Sequence, residues 1–386
     1  MCYEIGPNLK LICNILKSST EQNCKGQRFE ITQLLKTLNA SEKFLVARYF
    51  CKLPWNIGSL YILSQLHELR ILTASEYILS CDDSEEVQLI LNDFLESQYD
   101  LITNLFVNST MDSGNSIRIN VILDECLENL FKDLVAKPEL NDMAYLKHIH
   151  ETTTGEILVK IIHKHLGIIL KLQQSTATAA FSNFSSWINE GVDELKFPKD
   201  LYEKLLQGNI EDSLHYLLKQ SSSEAFRDWK YFLIMLQTIC SGNAEKSGPI
   251  IRKYLNTRIK HCASVPCKRM MLHILLTARA ASATTMDIAK NLNNYGDWYK
   301  NNIGEMKFFL KAEEFQNILD LLNQSLAYEA EVDYLEIHAA IAISPPILCG
   351  KLVQAYKSKC KQRLQQIKKG YKAIDVNESI VIEDSN

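Results

Sequence analysis

Glycine and proline are scarce in this 386-residue chain, at 14 and 8 residues. Average usage is about 7% and 5%, so the residues that tight turns, hairpins and phosphate-cradling loops depend on are in short supply. Long helices joined by short links are favoured. The signatures of common enzyme sites are missing as well: there is no G-x-x-x-x-G-K-[ST], no G-x-G-x-x-G after a strand, no G-x-S-x-G, no H-E-x-x-H and no C-x-x-C. No cofactor is therefore expected. An excess of either charge is lacking too, with a net charge of −4 and 23% charged residues, so the whole-chain balance gives no argument for a polyanionic partner.

Long apolar runs are also absent. The longest charge-free stretches, 173–189 and 231–244, are too polar or too short for the roughly 20-residue apolar helix that crosses a bilayer. Met1-Cys2-Tyr3-Glu4 has no basic character, and the apolar residues after it are broken by Asn8, Lys10 and Asn14, so no secretion signal is read and no membrane is expected. Eleven cysteines without regular spacing suit reduced core thiols better than a disulfide framework.

What is present is helical periodicity. Val87, Ile90, Leu91, Phe94 and Leu95 follow the i, i+3, i+4, i+7, i+8 template after a cap expected at Ser84. Asn39 with Glu42 and Thr73 with Glu76 have capping-box spacing. Ile157, Leu158, Ile161, Ile162, His165, Ile168, Ile169 and Leu172 make the longest apolar face. The alternating Ile117-Arg118-Ile119-Asn120-Val121 has no second strand to pair with and is read as a helix entry. Farther on, helices are expected at 201–207, 210–219, 224–241, 249–262, 268–281, 286–293, 312–326 and 328–343. Short links between them favour antiparallel pairs. The expectation is an all-α, irregular helical stack of antiparallel helix pairs, as a HEAT-like solenoid or as two packed helical bundles. Its parts are an N-terminal helical subdomain (1–172), a second (173–345) opening on a Ser/Thr/Ala-rich link at 173–186 whose second half Phe181, Phe184 and Trp187 mark for packing, a basic terminal helix (346–374) and a tail (375–386).

Histidines and cysteines invite a metal reading that their spacing resists. His148/His150 and His163/His165 are two apart and point to different faces of a helix. His261, Cys262, Cys267 and His273 match no usual zinc spacing. No metal is expected, and His165, on the apolar stripe, is read as a hydrogen-bonded core residue. An enzyme hidden between helices, using His148, His163 or Cys262, is the weakest of the functional readings.

Two features near the end of the chain are distinct. Between 351 and 372 eight basic residues (Lys351, Lys357, Lys359, Lys361, Arg363, Lys368, Lys369, Lys372) occur with no acid. They suit phosphate contact, nuclear import, or a solvated face helped by the helix dipole. The run Ile380-Val381-Ile382-Glu383-Asp384-Ser385 sets β-branched residues against acids, as peptides that add a strand to another protein's sheet do. It resembles a SUMO-interacting motif; the resemblance implies that Ile380, Val381 and Ile382 form the strand while Glu383 and Asp384 face a basic surface.

Together with the helical body, the tail makes the chain resemble the fifth non-SMC element of the chromosome-maintenance SMC five/six complex, a subunit that pairs with another helical partner. The resemblance implies a non-enzymatic scaffold in SUMO-linked chromosome maintenance and DNA repair. The expected partners are another helical subunit, SUMO through the tail and DNA through the basic helix, in the nucleus or alternatively the cytoplasm. A helical nucleic-acid-binding factor is the competing reading.

Overall fold

The computed structural model describes residues 7–21, 25–111, 113–189, 195–223 and 225–370. The protein is all-α: among the described residues 77% are helical, twenty α-helices are formed and no strand is present. One isolated bridge, Ser175 to Asp228, is the only β-type pairing among them. The chain divides into two compact units, residues 1–168 with 203–205, and residues 169–202 with 206–386.

In the first unit the expected caps are formed. Asn39 and Thr73 each accept from the backbone N–H three residues on, while Glu42 and Glu76 return the bond. The cap expected at Ser84 is instead Asp83, whose carboxylate accepts from Glu85 N at 2.9 Å. A carboxylate is the stronger acceptor there and also meets the positive end of the helix dipole. The alternating Ile117 segment lies inside the Gly114–Ala136 helix, which buries Ile119, Leu123 and Leu127 and leaves Ile117 and Val121 exposed. His165 is fully buried, as its stripe position predicts. One ring nitrogen meets the Ile161 carbonyl at 2.8 Å and the other the Tyr145 hydroxyl at 3.3 Å. Burial, chiefly, lowers its pKa to about 4.

Chain approach in this unit is close enough to require glycine at position 58. A Cβ there would stand 1.9 Å from the Ser19 carbonyl oxygen, and Gly58 N donates to the neighbouring Thr20 carbonyl at 3.0 Å.

The second unit is built around the Lys268–Ser282 helix, whose residues Met271 to Ala280 are all buried. A helix buried on every side belongs in a core, and the Ala177–Ile188, Trp229–Gly242, Ala244–Ser264, Ile288–Tyr299 and Ala312–Ser325 helices all pack on it. Several sequence boundaries move. The segment 173–186 is more helix than link: it packs through Phe181 and Phe184, as those residues suggest, but the Ala177–Ile188 helix takes up most of it. The helix expected from 249 starts at Ala244, where Asn243 caps it, and Pro249 is carried inside. The helix expected at 286–293 runs from Ile288 to Tyr299, since Tyr295 and Tyr299 are core residues. That expected at 328–343 shrinks to Val332–Ala340.

Within this core lies a charge pair that the sequence did not announce. Arg279 and Glu329 are 0% and 2% exposed and bonded through both guanidinium NH2 groups, one to each carboxylate oxygen. The guanidinium carbon lies 4.0 Å from the Tyr334 ring centroid and 4.7 Å from that of Phe181, so cation–π attraction replaces part of the lost hydration. Burial works against the charge, but Glu329 and Tyr295 more than offset it, and the arginine pKa is raised. Removing one partner of such a pair costs about 3–5 kcal/mol. Glu329→Gln should therefore lower the stability of this unit by about that amount in urea unfolding monitored at its tryptophans. The Arg279→Met/Glu329→Leu double variant should lose less than Glu329→Gln alone.

Candidate functional site

The basic helix of the sequence runs from Gly350 to Lys368, later at its start and earlier at its end than the 346–374 expected. It is not a detached element. Val353, Tyr356 and Cys360 form a buried stripe at i, i+3, i+7 that packs on the Val332–Ala340 and Ala312–Ser325 helices. The Tyr356 hydroxyl bonds that of Tyr299 at 2.8 Å. Tyr299 stacks on His338 with centroids 4.4 Å apart, and His338 bonds the Tyr295 hydroxyl at 2.9 Å. Burial first, then Arg279 and Lys357, holds His338 well below the ordinary histidine pKa.

The basic residues separate into two groups once their contacts are known. Lys357 donates to the carbonyls of His338, at 2.6 Å, and Ile341, which end the preceding helix. Arg363 donates to the carbonyl of Glu329 at 3.0 Å and to that of Ala327 at 3.5 Å. Both side chains satisfy carbonyl groups that no helix N–H reaches, so they are structural. Burial lowers the Lys357 pKa to about 8 and also lowers that of Arg363. Lys368 makes an exposed bridge to Glu336 at 2.6 Å, of the kind that contributes little. Lys351, Lys359, Lys361 and Lys369 are exposed. At 100° per residue they fall within about 160° of arc on one side of the helix. Lys372, with Ile380, Val381, Ile382, Glu383 and Asp384 of the tail, lies outside the described residues.

Just before the N-terminus of this helix, and in the loop bonded to it, stand exposed apolar residues that sequence reasoning missed. Ile347 and Leu348 are 101% and 89% exposed, and Phe308 72%. A backbone bond from Ser344 N to the Gly304 carbonyl, 2.8 Å, ties the two loops together. Leu352 and Phe309 are partly exposed nearby in the chain. The signal available in the sequence was Pro345-Pro346 followed at once by Ile347-Leu348, two apolar residues that no amphipathic period covers.

The histidines and cysteines singled out for chemistry do not converge. His148 meets Asp100 at 2.9 Å on the surface. His273 is buried against Trp229 and Phe232 and bonded to Ser221 at 2.8 Å, whereas His261 is exposed. Cys262 is a buried thiol whose pKa burial pushes up to about 11. Among the described residues no group of three or more His, Cys, Asp or Glu side chains could hold a metal ion, and no helix is long and apolar enough to cross a membrane.

Fold and surface together define an all-α helical stack that carries a basic helix with an apolar flank. The family model for the Fanconi anaemia group A protein N terminus matches residues 13–369, nearly the whole chain. The protein belongs to that family, which is related to DNA repair. No curated protein matches the chain. The DNA-repair connection expected from the sequence thus stands at the level of the family, while nothing supports the particular resemblance to the fifth non-SMC element.

The division of the basic residues can be measured. Lys357→Met should destabilise the protein by about 1.5–3 kcal/mol, the range for a hydrogen bond to a charged group. Lys359→Met, at an exposed position, should change stability by less than about 0.5 kcal/mol in the same urea titration.

Proposed function

We propose that the protein is a non-enzymatic helical scaffold subunit of a nuclear DNA-repair assembly, and that it meets a protein partner at the surface formed by Ile347, Leu348 and Phe308 with the exposed lysines beside it. The observation carrying this reading is the exposure of Ile347 and Leu348 next to the N-terminus of the basic helix. Large apolar side chains grouped on a surface and rimmed by polar residues mark interaction sites. The family's work in protein complexes supports it. The non-enzymatic part is supported by the scattering of the candidate histidines and by thiols held protonated: Cys126 and Cys240 are pushed up to about 12, mainly by burial.

Finer roles belong to the same proposal. The face bearing Lys351, Lys359, Lys361 and Lys369 contacts an acidic surface, DNA being the candidate, with affinity that falls steeply as salt rises. The tail reads SUMO by strand addition.

The partner surface is tested by Ile347→Asp with Leu348→Asp. Both positions are exposed, so the double variant should keep its helical circular dichroism and melting temperature, yet fail to co-purify the subunit that the parent retains. Retention by a folded double variant would reject this surface. The tail is tested separately: replacing Ile380, Val381 and Ile382 by alanine should abolish capture on immobilised SUMO. Equal capture by parent and variant would remove the tail from the reading.

A further inference from the structure

A groove of about 470 Å³ lies in the second unit between the Ala244–Ser264, Lys268–Ser282 and Ile288–Tyr299 helices. It is separate from the Ile347–Leu348 surface, and its lining differs from an ordinary interhelical crevice. Asn256, Asn294, Asn301 and Asn302 line it with Trp298 and Arg252, and the lining contains no carboxylate. The Arg252 guanidinium lies back along its own helix over Gly248, where an added Cβ would be 3.2 Å from it.

The lining residues of the Ile288–Tyr299 helix are spaced by a full turn. Asn294 and Trp298 are one helical turn apart, four residues rising about 6 Å. An extended peptide advances about 6.6–6.8 Å for every two residues, the interval at which its side chains return to the same face. A peptide lying along this helix would thus meet it in near register. Immediately after Tyr299 the helix widens into a π-helical turn, Lys300–Gly304. Such turns are frequent at functional sites, and both Asn301 and Asn302 line the groove here.

The amides are partly committed and partly open. Asn294 donates through Nδ2 to the Ser282 carbonyl at 3.3 Å, and Asn302 to the Trp298 carbonyl at 2.8 Å, which leaves each Oδ1 as an acceptor for a peptide N–H. Asn301 is exposed, with a donor and an acceptor to offer. Trp298 Nε1 is buried with no acceptor among the described residues, a donor of the kind native structures normally satisfy. Cys240, the potential nucleophile in the lining, is held as a thiol with its pKa raised by burial to about 12. The groove is equipped to hold rather than to react.

We propose that this groove binds a short extended peptide bearing one carboxylate side chain. Backbone amides of the peptide pair with Asn294, Asn301 and Asn302, and the carboxylate pairs with Arg252. A side-chain amide offers the same donor and acceptor pair as a peptide unit, so the asparagines accept any sequence in extended form, and the acid-free, arginine-bearing lining selects the charge. The inference stands on the groove alone and would hold whether or not Ile347 and Leu348 form an interface.

The test follows the Trp298 indole N–H by NMR in the full chain labelled with ¹⁵N-tryptophan; the resonance is assigned by its loss in Trp298→Phe. Four probes are titrated: acetylated hexapeptide amides of Ala, Ser, Thr and Val with one central Glu, the same with Gln, the same with Lys, and N-acetylglutamate amide alone. The Glu peptides should shift the resonance with at least tenfold higher affinity than the Gln or Lys peptides. Arg252→Gln, a change at an exposed position, should abolish that preference without changing the melting temperature. Asn301→Ala should weaken the Glu and Gln peptides alike. Three outcomes would overturn the proposal: no peptide moving the resonance at millimolar concentration, N-acetylglutamate amide matching the Glu peptides, or a preference for Glu that survives in Arg252→Gln.

Discussion

Arg279 places the tightest constraint on the second unit. A guanidinium cannot be discharged in a protein, so burying one obliges the fold to deliver a carboxylate to it. Glu329 does so from the short link between the Ala312–Ser325 and Val332–Ala340 helices, which fixes where that link runs. The rest of the link is then committed too: the Glu329 carbonyl accepts from Arg363, and Glu331 accepts from both the backbone and the hydroxyl of Ser185, at 2.8 and 2.7 Å. One charge in the central helix thereby sets the positions of the Ala177–Ile188 helix on one side and the basic helix on another. Replacing a buried pair of this kind by apolar residues is often neutral or stabilising, so its presence is no measure of net stability.

The basic helix shows how the same side-chain type takes two roles according to the faces of a helix. Its apolar stripe is narrow, three residues in about two turns, and would bury too little to hold nineteen residues in place alone. Lys357 and Arg363 supplement it by reaching over the stripe to carbonyls at the ends of neighbouring segments. The lysines on the opposite side have no such targets within reach and stay in solvent. Of the seven basic residues described between 351 and 369, Lys357 and Arg363 thus serve the fold, and the exposed cluster is smaller than the sequence row.

Much of the helical order was legible because it depends on local rules. Asn39, Thr73 and the Val87–Leu95 period specify their elements through residues within four positions of one another, and His165 declared itself by its place on a long stripe. The boundaries that moved did so where packing competes with local preference. Phe181 and Phe184 draw a Ser/Thr/Ala-rich segment into helix, and Tyr295 and Tyr299 extend a helix past the point where its apolar period fades. The Ile347–Leu348 surface was not legible, since exposure is a property of what fails to pack on a residue, and no local pattern records that.

The sequence by itself determined that the protein is all-α: scarce glycine and proline, repeated 3.6-residue periodicity and capping residues act over a few positions, and their sum needs no knowledge of the partner elements. Only the tertiary structure decided that Arg279 meets Glu329, that Lys357 and Arg363 serve the fold while Lys359 and Lys361 face solvent, and that four asparagines line one groove. Each of these joins residues remote in the chain or assigns a side chain to one of several faces, and that choice is made by which helices pack together.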